Sequence, residues 1–179
     1  LALLKSMPNK HTAALRLELK AQQFAKNWEQ VLALVDQLEK RNVFDTGQAE
    51  QIRHYAQAEN LKRKALDSRA LEEAWQRIPA RQKVNTRIAA AAAQCFIALG
   101  GGARACRIIE DSLDEVWDSE LIGLYAESEG EALRQIERGE AWLKLQPRDA
   151  ALLLTLGRLC ARRELWGKAQ SYLEAGIAI

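Results

Sequence analysis

A hydrolase or transferase needs a nucleophile beside a base, or paired carboxylates in a dry cleft, so the side chains able to begin such chemistry come first. The chain has two histidines, His11 and His54, and three cysteines, Cys95, Cys106 and Cys160. His11 precedes Thr12, which reads as a helix cap, and so falls at an exposed helix start. His54 takes a core-facing position beside Tyr55, where it reads as a packed histidine and not as a base. The cysteines are odd in number, form no CxxC pair and have no paired histidines nearby, which signals neither a disulfide framework nor a zinc site. Cys95 and Cys106 fall on facing helices of one hairpin and Cys160 on a core position, where a thiol behaves as a small apolar group. Gly100-Gly101-Gly102 follows no strand and precedes no Lys-Ser or Lys-Thr, so it is a turn between helices and not a phosphate loop. The expectation is a protein with no catalytic residues, no metal and no cofactor of its own.

The elements that must position any site are helices. Ala, Leu, Glu, Arg, Lys and Gln dominate, with only three Pro and ten Gly to interrupt them, and that composition favours helix over strand. The net charge of +2 gives no bulk attraction to nucleic acid or to anionic lipid, so any charge effect must be local. The longest apolar run, Ile88–Leu99, is broken by Gln94 and is too short to span a bilayer. Leu1–Met7 contains Lys5 and leads into Pro8, which is not the pattern of a secretory signal.

The repeat is clearest near the end. Leu153, Leu156, Gly157 and Cys160 recur at three- and four-residue steps and mark one helix face; Trp166, Ala169, Leu173 and Gly176 mark the next helix. This order resembles the tetratricopeptide pattern, with Gly157 at the eighth position of a unit beginning at Ala150. Stepping back about 34 residues puts the preceding unit at Val116, with Gly123 at its eighth position and Pro147 where that pattern places proline. Earlier units are looser: Phe96, Gly100, Ala105, Ile109, Ser112 and Leu113 fit around 86–117, Leu71, Ala74 and Pro79 around 48–79, and Leu15, Trp28, Val31 and Val35 around 12–43. The expected fold is an all-α, tetratricopeptide-like superhelical solenoid of about five antiparallel helix hairpins, one repeat domain over 1–179 with units near 12–45, 46–80, 84–116, 117–148 and 149–179. Helices are predicted at 12–25, 29–42, 46–64, 67–78, 84–99, 102–114, 118–127, 130–145, 149–162 and 166–178. Leu1–Pro8 reads as the end of a second helix from a preceding unit, and both ends read as cut from a longer array. A compact bundle would suit the same helix lengths; the matching Pro79 and Pro147 favour the solenoid.

Trp28 and Trp166 take the same position in their units, a structural equivalence. Trp75, Trp117 and Trp142 lie near unit ends, where they cover junctions between hairpins. The concave face of such a solenoid is lined by the first helix of each hairpin. In this register Arg16, Lys20, Arg53, Arg87, Gln94, Arg158 and Arg162 project there, with Glu59, Glu120 and Glu127 the main acidic residues, so a net basic groove is expected to hold a ligand or partner. The competing reading pairs these arginines with neighbouring carboxylates, as Arg162 and Arg163 with Glu164.

Three stretches are more specific: Trp117-Asp-Ser-Glu-Leu-Ile-Gly-Leu-Tyr125, Arg134 to Pro147, and Leu152 to Glu174. They resemble the C-terminal repeat region of the proteobacterial HemY family, which is associated with haem biosynthesis and is distinct from the flavin-dependent oxidases that have carried the same name. The resemblance implies a parent protein anchored in the inner membrane by an N-terminal hydrophobic hairpin that is not in this chain, with its repeats on the cytoplasmic side. It implies other proteins as partners, haem-pathway enzymes among them, and haem or a porphyrin as a ligand. It supplies no catalytic residue. A generic protein-interaction scaffold for envelope assembly is the alternative.

Overall fold

The structure is a computed structural model that describes the backbone of residues 2–179 and the side chains of residues 11–179. Among the described residues the chain is helical throughout, with eleven helices and no strand. It divides into two compact units, Leu1–Arg63 and Lys64–Ile179, and the boundary falls in the turn inside the second expected hairpin. No helix of the described residues is long and apolar enough to cross a membrane.

The first unit holds α1 (Ala2–Phe24), α2 (Trp28–Lys40) and α3 (Thr46–Arg63). Helix α2 buries Trp28, Val31, Leu34, Val35 and Leu38, the three- and four-residue spacing that puts one stripe of a helix against its neighbours. It lies between Leu15 and Leu19 of α1 and Ala49 and Ala56 of α3, whose small side chains let α3 come close. Val31, Val35 and Leu38 are wholly buried, each worth about 1.5–3 kcal/mol of transfer from water. Trp28 packs its ring at 5.5 Å and 83° to Tyr55. Asp45 Oδ1 accepts from the Gln48 amide at 2.8 Å and so starts α3. The first helix corrects the expected start at Thr12: α1 reaches back to Ala2, so Thr12 lies within a helix and caps nothing, and His11 is exposed along it. A proline removes one helical hydrogen bond, and the good helix formers that follow it carry the helix on to Phe24. The side chains of Leu1–Pro8 lie outside the described residues.

The second unit holds α4 (Ser68–Arg77), the single turn α5 (Ala80–Lys83), α6 (Thr86–Ala98), α7 (Gly102–Glu115), α8 (Ser119–Tyr125), α9 (Ala132–Leu145), α10 (Ala150–Arg162) and α11 (Trp166–Ile177). Asp67, Asn85, Asp118 and Asp149 cap α4, α6, α8 and α10 with side-chain oxygens, which satisfies amides that have no partner inside the helix. Packing runs from α6 to α7, from α7 to α8, from α9 to α10 and from α10 to α11, while α6 also meets α8 and α8 meets α10. First helices thus lie beside first helices. The buried alanines of α6, Ala89, Ala91, Ala92 and Ala93, permit that closeness. At Gly157 an added Cβ would stand 2.7 Å from Leu173, so this glycine sits where α10 and α11 approach closely; at Gly123, on α8, an added Cβ meets nothing within 4 Å. The short α8 does not make the equivalent approach.

Three turns inside hairpins are built alike. Lys26, Gly100 and Glu164 have φ of 57°, 75° and 58°, and the next amides, of Asn27, Gly101 and Leu165, bond back to Gln22, Phe96 and Cys160 carbonyls at 2.9, 2.7 and 3.0 Å. This is the Schellman closure, which wants a left-handed residue at its first position past the helix. Glycine takes that conformation without penalty, whereas a residue with a Cβ does not. Glu164→Gly should therefore raise stability by about 0.5–1 kcal/mol, read as a higher denaturant midpoint at unchanged slope, and Gly100→Ala should lower it.

Candidate ligand-binding groove

In the first unit, α1 and α3 border a groove of about 570 Å³ lined by Arg16, Leu17, Leu19, Lys20, Gln23, Phe44, Gln48, Gln51 and Ile52. Arg16, Lys20 and Gln23 recur at steps of four and three on α1, and Gln48, Gln51 and Ile52 at steps of three and one on α3, so each helix turns one strip of side chains to it. Arg16 is held in place: its Nη2 donates to the Val43 carbonyl at 3.1 Å, and its guanidinium lies 5.8 Å from the centre of the Phe44 ring. Lys20 makes no ion pair among the described residues. Leu17, at 69% exposure, offers apolar surface beside the two cations. The described lining residues include two cations and no carboxylate. The first unit as a whole has ten Lys and Arg against seven Asp and Glu, an excess of three positive charges, while the rest of the chain has 16 against 17.

The remaining expected groove residues fare differently. Arg53 is drawn inward to 12% side-chain exposure, with Nη2 at 2.8 Å from Asp36 and 2.7 Å from Glu39. Burial alone would lower its pKa, but the bonds and charges of those two carboxylates outweigh burial and raise it. Its charge is spent on joining α2 to α3. In the second unit Arg87 and Gln94 are exposed on α6. Arg158 lies 3.7 Å from Glu127, and Arg162 donates to the Ala126 carbonyl at 2.6 Å, where sequence pairing with Glu164 had been the competing expectation. So the sequence-expected set is brought together only in part: Arg16 and Lys20 share one groove. Sequence reasoning missed Leu17, Gln23, Gln48, Gln51 and Ile52; Gln23, three residues past Lys20 on α1, follows from helical spacing, whereas spacing along α1 says nothing of which residues of α3 face it. Phe44, on a turn, left no such signal.

Comparison with protein-family models, with characterised proteins and with solved structures finds no match to this chain.

Two strongly raised titrations lie elsewhere, in a buried polar cluster of the second unit. Glu110, buried on α7, accepts from the Tyr125 hydroxyl at 2.6 Å and from the Cys106 thiol at 3.4 Å, and its other oxygen lies 3.3 Å from Arg134. The Gln135 amide donates to the Tyr125 and Ser128 carbonyls at 2.7 and 3.2 Å and to the Ser128 hydroxyl at 3.1 Å. Burial, then the Glu110 charge, pushes the Cys106 thiol up to about 11, and burial together with the bond to Glu110 drives Tyr125 strongly upward. Both groups stay protonated at neutral pH and spend their protons on Glu110. The thiolate, not the thiol, is the nucleophile, so this arrangement holds α7, α8 and α9 in register and is a poor start for nucleophilic chemistry. Cys95 and Cys160 are also buried, as expected of apolar thiols, and burial raises the pKa of Cys160.

Asp149 forms a second joint. Its carboxylate accepts from Trp117 Nε1 at 2.9 Å and from the Ser119 hydroxyl, and it caps α10 through the Leu152 amide at 2.8 Å. Trp117 in turn packs edge-on to Trp142 at 5.9 Å. Two tryptophans near unit ends do cover a junction between hairpins; Trp28 and Trp166 each open the helix that follows a matching turn, α2 and α11, with Trp28 buried and Trp166 66% exposed. Burial alone would raise Asp149, but the bonds from Ser119, Trp117 and the Leu152 and Ala151 amides outweigh it and hold the carboxyl below its usual range. A depressed folded-state pKa stabilises the fold above the unfolded value of about 4 and loses that contribution as pH falls through the folded value. Asp149→Ala should cost about 1–2 kcal/mol at pH 7. The difference from the parent should shrink as pH falls below about 4, which thermal midpoints taken from pH 7 to pH 2.5 will show.

Proposed function

We propose that this chain is a non-catalytic, tetratricopeptide-like repeat scaffold that binds an acidic partner or ligand through the groove between α1 and α3. One observation carries the reading: Arg16 and Lys20 line a groove whose described lining includes no carboxylate, in the unit that holds the chain's excess positive charge. Arginine suits carboxylates because its planar fork can meet both oxygens, and a groove of this size falls in the range of ordinary ligand sites, roughly 300–1,000 Å³. The repeat reading draws support from first helices packed beside first helices in the second unit. The resemblance of 117–174 to the HemY family extends the proposal to a scaffold associated with haem biosynthesis. In that reading haem-pathway enzymes are partners, a porphyrin with its propionates is a possible acidic ligand, and the parent protein is anchored in the inner membrane.

The test is affinity capture from a bacterial membrane extract with the 179-residue chain and with its Arg16→Glu plus Lys20→Glu form. The reading expects haem-pathway enzymes on the parent chain and their loss from the variant. Recovery of the same proteins by both forms removes the groove from the account. Recovery of envelope-assembly proteins in place of haem enzymes removes the pathway.

A further inference from the structure

The geometry points to an extended peptide as the occupant of the α1–α3 groove, one that carries two carboxylates at alternate positions and an apolar side chain beside them. We infer this on top of the reading just given, from three observations. The first is spacing. Arg16 and Lys20 are four residues apart on one helix, which separates them by about 6 Å along its axis. Side chains at i and i+2 of an extended chain point the same way and are about 6.6 Å apart, so a Glu-x-Glu or Asp-x-Glu segment lying along α1 presents one carboxylate to each cation. Adjacent acidic residues point to opposite faces and cannot.

The second observation is the polar lining. Gln23 from α1 and Gln48 and Gln51 from α3 flank the groove, and each amide offers both a donor and an acceptor. Peptide backbone needs partners of both kinds when it leaves water; the apolar rim of a flat ring system has no use for them. The third is apolar surface. Leu17 is well exposed, and Phe44 and Ile52 lie half-buried in the lining, a place for one aliphatic or aromatic residue of the peptide. Arg16 brings an already ordered guanidinium, held by the Val43 carbonyl and the Phe44 ring, so little freedom is lost when a carboxylate meets it. Surface cations alone would give only bulk attraction; the fixed register is what the proposal adds.

The probe is a fluorescein-labelled peptide containing Leu-Ser-Glu-Ser-Glu, titrated by anisotropy with the whole 179-residue chain at two salt concentrations. Its isomer Leu-Ser-Ser-Glu-Glu has the same charge in the wrong register. The proposal expects saturable binding of the first peptide, at least fivefold weaker binding of the isomer, and at least tenfold weakening by Lys20→Glu or by Arg16→Ala. Lys40→Ala, which removes a charge from the same unit at an exposed site, should stay within twofold. Equal binding of the two isomers, or full binding by Lys20→Glu folded to the same helicity, overturns the register. A parallel haemin titration keeps the two levels apart. Saturable haemin binding that is lost with Arg16→Ala plus Lys20→Ala, without peptide binding, leaves the acidic-ligand reading standing and overturns the peptide. Binding of neither probe overturns both.

Discussion

Glu110→Ala should destabilise the chain by about 3 kcal/mol. The substitution leaves the Tyr125 hydroxyl, whose side chain is wholly buried, without its acceptor, and an orphaned buried polar group costs about 1–3 kcal/mol. It also removes the carbons of a buried side chain from the interface of α7 with α8. Arg134 adds little to the loss, because its side chain is 67% exposed and simply returns to water. Glu110→Gln keeps the volume and an acceptor for Tyr125, so it should cost nearer 1 kcal/mol. Urea denaturation of the two variants checks the comparison: a smaller effect for alanine than for glutamine would mean that the cluster is not what holds α7 to α8.

Gly102→Ala should cost about 2 kcal/mol even though it trades the poorest ordinary helix former for the best. The propensity gain is at most about 1 kcal/mol. Against it, an added Cβ would stand 2.5 Å from the Glu129 amide nitrogen and 2.9 Å from its Cα, and backbone cannot turn aside as a side chain can. Overpacking of this kind costs about 1–3 kcal/mol or more, since the segment after α8 would have to move off the start of α7. Gly139 and Gly157 provide the contrast. Their nearest clashes would be with side chains, Leu156 Cδ2 at 2.7 Å for the first and Leu173 Cγ and Cδ2 at 2.7 Å for the second, with the Ala169 carbonyl no closer than 3.5 Å. Leu173 is partly exposed and can swing outward, so Gly157→Ala should be the mildest of the three. Leu156 is wholly buried and has less room. Thermal unfolding of the three alanine variants should therefore rank them 102, then 139, then 157, with 157 the most stable.

Local signals in the chain account for the helices. Expected ends lie within two residues of α2, α3, α4, α6, α7, α8, α9, α10 and α11, because Asp67, Asp118 and Asp149 are caps by type and Pro79 and Pro147 are breakers by type. Three features had no local signal. A carboxylate beside Asp111 in the middle of α7 reads as solvent-facing, so Glu110 went unnoticed, and its distant partner Tyr125 reveals its burial. The turn α5 contains no periodic pattern because four residues are too few to carry one. Arg53 looked like a groove residue by register, and Asp36 and Glu39, on another helix, take it away. The groove itself was half legible: Arg16 and Lys20 follow from helical spacing, whereas Phe44, which orders Arg16, stands on a turn with no periodicity to place it.

The central claim is that an acidic ligand occupies the surface between α1 and α3. Amide chemical-shift mapping of the isotope-labelled chain, titrated with the Leu-Ser-Glu-Ser-Glu peptide, tests it directly. Shifts that saturate together and concentrate on residues 16–23 and 44–52 are the predicted result. Shifts concentrated on α6 and α10, or spread evenly over exposed lysines and arginines, would contradict it.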